Sequence, residues 1–251
     1  MAMLKLMQLY DQARTFDKVY LFSPTYHNDP KYHALDKGEY RLEVIEEYSE
    51  EQLVDVIHDT KVDIERFKEH EEYRKAYTKL QKWKKDLSLF PMEELIILEK
   101  YGYVHPDEQC EWKQMPTTCI IFDDLMYSPL YKAKSVINGF AIKHRHYHTS
   151  LVFLTQGFKG GVPRQIRANL SLIILFATKS KAQREDIANE VSAWITPEHF
   201  EEIFSFATEE QHSFLLINGD EREKNHKFRK NFDEYIKIDY GKQGDSSKNG
   251  P

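Results

Sequence analysis

The sequence predicts an α/β protein with a mostly parallel sheet and helices on both of its faces. Three observations carry that expectation. Cys119-Ile-Ile-Phe-Asp-Asp124 is a short apolar run ending in two adjacent carboxylates. Ser150-Leu-Val-Phe-Leu-Thr-Gln156 is a second apolar run, ending in a hydroxyl and an amide. Between them Val136, Ile137, Phe140 and Ala141 recur at helical spacing, so the runs read as parallel strands joined by a helical crossover. Such strands deliver their last residues to one crevice, where α/β sheets place ligands. A carboxylate there can hold magnesium through water and its neighbour can orient an attacking water, with Thr155 and Gln156 placed to meet a terminal phosphate. Two core strands with ordinary polar exits fit these runs equally well.

The remaining elements follow in chain order. Met1 to Tyr10 is apolar at positions 3, 4, 6, 7 and 9, a helical pattern, and Phe16-Asp-Lys-Val-Tyr-Leu-Phe-Ser-Pro24 is a strand. Tyr40 to Ile45 reads as a short strand after a polar loop. From Glu46 to Leu98 the chain is helical, with Leu53, Val56, Ile57, Ile64 and Phe67 at near-helical spacing and Tyr73, Tyr77, Leu80 and Trp83 continuing the stripe. Residues 46–110 therefore form a helical insertion, and the core resumes at Thr117. After Gln156 comes a loop rich in glycine and arginine, residues 157–169, then a third apolar run from Leu170 to Ala177. Ala182 to Ala207 supplies two helices, the second opening at Thr196-Pro197 with a cap followed by proline at the first position. Residues 241–251 have the composition of a disordered tail behind a single domain of residues 1–240.

The stretch from Thr118 to Phe176 resembles the poxvirus-type DNA-packaging ATPases, found also in other large DNA viruses and virus-like transposons, within the FtsK and HerA superfamily of P-loop motors. The matching residues are Ile120-Ile-Phe-Asp-Asp124 as a Walker B segment, the basic turn Lys143-His-Arg-His-Tyr147 leading to Thr149-Ser150, the strand ending in Leu154-Thr-Gln156, and Val162-Pro-Arg-Gln-Ile-Arg-Ala-Asn169. Phe16 to Pro24 is similar to the family's second strand, and Glu210-Gln-His-Ser-Phe-Leu-Leu-Ile-Asn218 to its late strand. The resemblance implies a RecA-like P-loop NTPase core and a ring of identical subunits that uses ATP and magnesium to drive duplex DNA into a viral capsid. It implies that Asp123 holds magnesium through water, Asp124 activates water and Gln156 reports phosphate state. It further implies that Arg167 acts across a subunit boundary as an arginine finger, with Thr155, Arg164 and Asn169 as nucleotide contacts. The cellular setting it implies is host cytoplasm, viral factory or virion.

One departure is large. The family's G-x-x-x-x-G-K-[ST] loop, whose amides cradle phosphates, is absent, and the one Gly-Lys pair, Gly241-Lys242, is followed by Gln243. The opening helix resembles the one that normally follows that loop. The expectation is therefore that the first strand and the phosphate loop are missing in front of Met1, by truncation or by true loss. The strands ending at Gln156 and Ala177 would then lack their shared neighbour. The alternative function is a non-catalytic packaging or capsid-associated subunit derived from the same fold.

Composition bounds the rest. The 251 residues are 41% hydrophobic, enough for a sizeable core, and 35 basic against 41 acidic residues give a net charge of −6, so nothing global advertises nucleic-acid binding. Cys110 and Cys119 have neither metal spacing nor a secretory context and read as reduced thiols. No apolar stretch approaches membrane length. Arg74, Lys75, Lys79, Lys82, Lys84 and Lys85, interleaved with Tyr73, Tyr77 and Trp83, could present a basic and aromatic DNA surface, or form an amphipathic helix whose aromatics pack inward. His144, His146 and His148 would share a face on a strand, so a metal site is conceivable, although a basic turn near DNA or a subunit boundary fits the segment better. Arg164 and Arg167 equally fit ordinary surface arginines in a mobile loop.

Overall fold

The computed structural model describes residues 2–83, 86–108, 110–126, 128–131 and 135–238. The chain divides into two compact units, Met1–Gln156 and Gly157–Pro251. The expected tail at 241–251, together with Lys84 and Lys85, lies outside the described residues.

The first unit runs α1 (Ala2–Gln12), β1 (Lys18–Phe22), β2 (Arg41–Ile45), α2 (Glu50–Lys82), α3 (Met92–Lys100), β3 (Thr118–Asp123), α4 (Val136–Lys143) and β4 (Thr149–Leu154). Its strands form one parallel sheet in the order β2-β1-β3-β4. β1 and β3 are apolar on both faces because both faces are covered. Val19, Leu21, Cys119 and Ile121 pack against Met7 of α1 and against Tyr26, Tyr32, Leu35 and Tyr40 from the segment before β2. Tyr20, Phe22, Ile120 and Phe122 point to the other face, where Phe122 stacks at 5.1 Å on both Phe22 and Phe153. Burying each such side chain contributes about 1.5–3 kcal/mol, so these five- and six-residue strands are held by packing rather than by length.

α2 is tied to the sheet at the amino end of β1 by a buried ion pair, Lys18 to Asp63, with side chains 9% and 10% exposed. Its start is set by Ser49, whose hydroxyl accepts from Gln52 N at 3.1 Å, with Glu50 and Glu51 in the first turn. Beyond Trp83 the chain returns as α3, and Tyr73, Ala76 and Leu80 of α2 pack on Phe90 and Leu98. For the described residues 73–83 that packing matches the alternative of an amphipathic helix whose aromatics face inward. Tyr73 is buried, Tyr77 and Trp83 pack against the same hairpin, and Lys79 pairs with Glu94, so these aromatic faces are used inside the protein. The histidine segment is the turn before a strand that the sequence favoured, not a strand presenting three rings on one face. His144 to Tyr147 form a 3-10 turn, and His148 takes a left-handed conformation with φ of 47°, so the three rings do not alternate along a strand. Among the described residues no group of three or more His, Cys, Asp or Glu is placed to hold a metal ion.

The second unit contains α5 (Arg164–Arg167), β5 (Leu172–Phe176), α6 (Lys181–Glu190), α7 (Pro197–Ala207), β6 (Phe214–Asn218), β7 (Phe228–Lys230) and β8 (Glu234–Tyr235). Its sheet has the order β5-β6-β7-β8 and is antiparallel throughout. The run 170–177 and the late strand were expected in the mostly parallel sheet, and here they pair with each other in opposite directions. Val191, Phe200, Leu215, Ile217 and Phe228 form the core of this unit. α7 begins as its cap predicts, with Thr196 Oγ1 accepting from His199 N at 3.4 Å and Pro197 in the first turn. β4 and β5 are edge strands of their respective sheets.

Candidate functional site

Parallel register builds the site. Phe22 of β1 lies opposite Phe122 of β3, so Ser23 and Asp123 leave the sheet side by side. Ser23 Oγ donates to Asp123 Oδ2 at 3.0 Å, and the Tyr48 hydroxyl donates to the Asp123 backbone carbonyl at 2.5 Å. Asp123 is thus half-buried and clamped. The next residue, Asp124, turns out of the strand in a left-handed conformation, φ of 53°, which aspartate tolerates better than most side chains. Its amide donates to Leu154 O at 3.0 Å, and its exposed carboxylate accepts from Gln156 Nε2 at 3.2 Å. The exits of β3 and β4 are therefore joined, and Thr155 sits exposed between Leu154 and Gln156.

Phenols surround the two carboxylates. Tyr32 is buried, and burial followed by its interaction with Asp123 pushes its pKa up. The Tyr48 pKa is raised by burial and then by the charges of Asp123 and Asp124. The pKa of Tyr131 is raised by burial, then by Tyr48 and Asp124. All three stay protonated at neutral pH and offer donors rather than charge. The Tyr131 hydroxyl is buried and has no hydrogen-bond partner among the described residues, while its ring lies 6.5 Å from that of Phe153. A buried hydroxyl left in that state costs about 1–3 kcal/mol.

A site of this chemistry suits magnesium in one mode. That ion keeps most of its water shell and is held by one or two carboxylates plus substrate oxygens. Asp123 and Asp124 provide two carboxylates at one strand end, with hydroxyl and amide donors arranged around them. A triphosphate fits less completely, because the 251 residues contain no G-x-x-x-x-G-K-[ST] loop of amides to cradle it.

The other sequence-predicted residues belong to the second unit. Arg167 is engaged there: Nε pairs with Glu190 at 3.2 Å, one terminal nitrogen donates to Val162 O at 2.6 Å, and the guanidinium lies over the Phe158 ring at 5.4 Å. Its side chain is only 9% exposed. Arg164 opens α5 and is exposed, and Asn169 Nδ2 donates to Gln165 O at 2.8 Å. Ser23 was within reach of sequence reasoning, since it follows an apolar run as Asp123 does. Tyr32, Tyr48 and Tyr131 were not, because each lies outside any patterned element and reaches the site through the fold.

No family model and no curated protein matches the chain. Among solved structures it is similar to B204, the DNA-packaging ATPase from Sulfolobus turreted icosahedral virus, with 14% identity, a TM-score of 0.47 and coverage of 93% of this chain and 88% of that one. It is also similar to the genome packaging NTPase B204 from Sulfolobus turreted icosahedral virus 2 in complex with ATP-gammaS, with 16% identity, a TM-score of 0.43 and coverage of 90% and 86%. A third likeness is to the cytoplasmic domain of the Thermomonospora curvata Type VII secretion ATPase EccC, with 16% identity, a TM-score of 0.37 and coverage of 82% of this chain and 21% of that one. Likeness at this level leaves the fold resting on the strand order and register above.

Proposed function

We propose that this chain is a subunit of an ATP-driven DNA-packaging motor of a DNA virus or virus-like element, with a RecA-like core of the FtsK and HerA type. The observation that carries the reading is the side-by-side exit of Ser23, Asp123, Asp124 and Gln156 at the carboxyl end of a parallel sheet. Asp123, held by Ser23 and faced by Tyr32, keeps one orientation suited to a water-coordinated magnesium. When bound, that ion neutralises charge on phosphate oxygens. Asp124 is exposed and accepts from Gln156, which suits it to accept a proton from water while the amide follows phosphate occupancy. Thr155 stands beside them as a further hydroxyl contact. The arginine contributed to a neighbouring subunit is Arg167, with Arg164 and Asn169 beside it, and to reach across it must release Glu190 and Val162. The partners are duplex DNA, capsid protein and further copies in a ring, in host cytoplasm, viral factory or virion. No described helix is long and apolar enough to cross a membrane.

A second reading is a non-catalytic packaging or capsid-associated subunit derived from the same fold, and its ground is that these 251 residues hold no G-x-x-x-x-G-K-[ST] sequence. Calorimetry with Mg-ATP separates the two. The motor reading expects weak binding, on the order of millimolar because amide donors of the cradle are lacking, that Asp124→Asn abolishes. No heat at all with any nucleotide favours the non-catalytic subunit. Micromolar binding lost in Asp123→Asn would instead show that the loop matters less than the carboxylates.

A further inference from the structure

We infer that the open face of α2 over residues 74–83 is a surface for the phosphate backbone of nucleic acid, bound without regard to sequence. This deepens the proposed function, and rests on it for duplex DNA as the polyanion. α2 starts beside the ligand end of the sheet, where Tyr48 meets Asp123. It reaches the opposite end at Lys61, over the Tyr147 ring just before β4, and at Asp63, paired with Lys18 at the start of β1. From Asp63 to Lys82 it runs on for about 28 Å, packed on α3 and bonded to the carbonyls of Val104 and Pro106 rather than to a strand. The buried stripe turns along the way. Leu53, Val56, Ile57, Ile64 and Phe67 lie on one side of the helix, whereas Tyr73, Ala76 and Leu80, which pack on α3, lie on roughly the opposite side. The side that is buried in the first half therefore stands open in the last turns. It carries Arg74, Lys75, Thr78, Lys79 and Lys82, which with Trp83 line an open concavity of about 460 Å³.

Residues 74–83 hold four cations and no carboxylate. Arg74 is matched by Glu71 at 2.7 Å and Asp107 at 3.7 Å, and Lys79 by Glu94 at 2.6 Å. Lys75 and Lys82 are exposed and have no ion-pair partner among the described residues. The helix dipole draws cations only to the last turn, which leaves Arg74 and Lys75 unexplained. A face kept merely for solubility mixes both signs. A protein partner needs apolar anchors, and the aromatic side chains of this hairpin pack within it, with Lys79 covering the Trp83 ring at 4.5 Å. Phosphates need only the cations, and a covered Trp83 offers no platform on which to stack a base, so recognition stops at the backbone.

The test is fluorescence anisotropy of a short labelled duplex of random sequence, titrated with the full chain from about 50 to 200 mM salt. Wild type is expected to bind with a Kd on the order of 10⁻⁵ M near physiological salt. Lys75→Gln with Lys82→Gln removes two phosphate contacts. The slope of log affinity against log salt should then shrink by about 1.8, and affinity at about 0.1 M salt should fall at least tenfold. The thermal midpoint should not move, since both side chains are exposed. Lys179→Gln with Lys181→Gln, an equal loss of charge at exposed residues of the second unit, should stay within about twofold of wild type. If the α2 pair keeps the wild-type affinity and slope, or the second-unit pair loses as much, this face is not the site and the inference is overturned while DNA stands as a partner. No binding by wild type even at about 50 mM salt overturns both. A labelled oligoglutamate peptide that binds more tightly than the duplex at equal salt would identify an acidic protein segment as the occupant and overturn the nucleic-acid assignment.

Discussion

Removing Asp63 should be among the most damaging single changes available in the first unit. Lys18 opens β1 and Asp63 sits in the middle of α2, and their side chains are only 9% and 10% exposed. The ammonium also lies 5.7 Å from the Trp112 ring, so aromatic surface rather than water surrounds it. Asp63→Ala leaves that ammonium buried with its main counter-charge gone, which costs about 3–5 kcal/mol. For a unit of this size the loss lowers the midpoint by roughly 10–15 °C. Urea unfolding followed by circular dichroism measures it, with the m-value checked so that a change in the denatured state is not mistaken for a change in stability. Replacing both partners, Lys18→Met with Asp63→Leu, should recover most of the loss, because well-packed apolar residues need no compensation in a dry site. A loss below about 1 kcal/mol for Asp63→Ala would place the pair among surface ion pairs and refute the claim that it anchors α2.

Two further outcomes are expected. Burial pushes the Cys119 thiol from its ordinary 9.0 up to about 12. The folded state therefore holds a proton that the unfolded state releases, so stability is fully present below pH 9 and falls by about 1.4 kcal/mol per pH unit between pH 9 and 12; Cys119→Ala should flatten that decline in alkaline unfolding, and an unchanged slope would show that other groups cause it. In the second unit, Arg167→Ala strips Glu190 and the Val162 carbonyl of a partner and should cost roughly 1–3 kcal/mol, whereas Arg164→Ala should stay within about 0.5 kcal/mol; equal effects would mean that the Arg167 bonds contribute nothing beyond those of a surface side chain.

Much of the parallel sheet was legible in the sequence because its strands are apolar on both faces and end abruptly in polar residues. Lys18–Phe22 and Arg41–Ile45 fall within the expected runs, and Thr118–Asp123 and Thr149–Leu154 each begin one residue before theirs. The stripes at 53–67 and 73–83 keep one period along α2, whereas α1, α3 and α6 overrun the expected bounds by one or two residues. The second sheet was read less well. Phe228–Lys230 and Glu234–Tyr235 are too short and too charged to show a period of two, and direction of pairing leaves no mark on a five-residue apolar run such as Leu172–Phe176.

By itself the sequence determined that Asp123, Asp124, Thr155 and Gln156 would close apolar strands, because hydrophobic runs of that length must be buried and their first polar residues must leave the core. Only the tertiary structure decided who stands beside them. Ser23 meets Asp123 through a register that spans a hundred residues of chain, and Tyr48 and Tyr131 arrive from segments with no periodicity at all. The same holds for Arg167, whose loop reads as mobile from its glycines, yet whose guanidinium is held by Glu190, Val162 and Phe158. Burial is a property of each residue and leaves a pattern along the chain, whereas a hydrogen bond between distant residues is a property of the pair and leaves none.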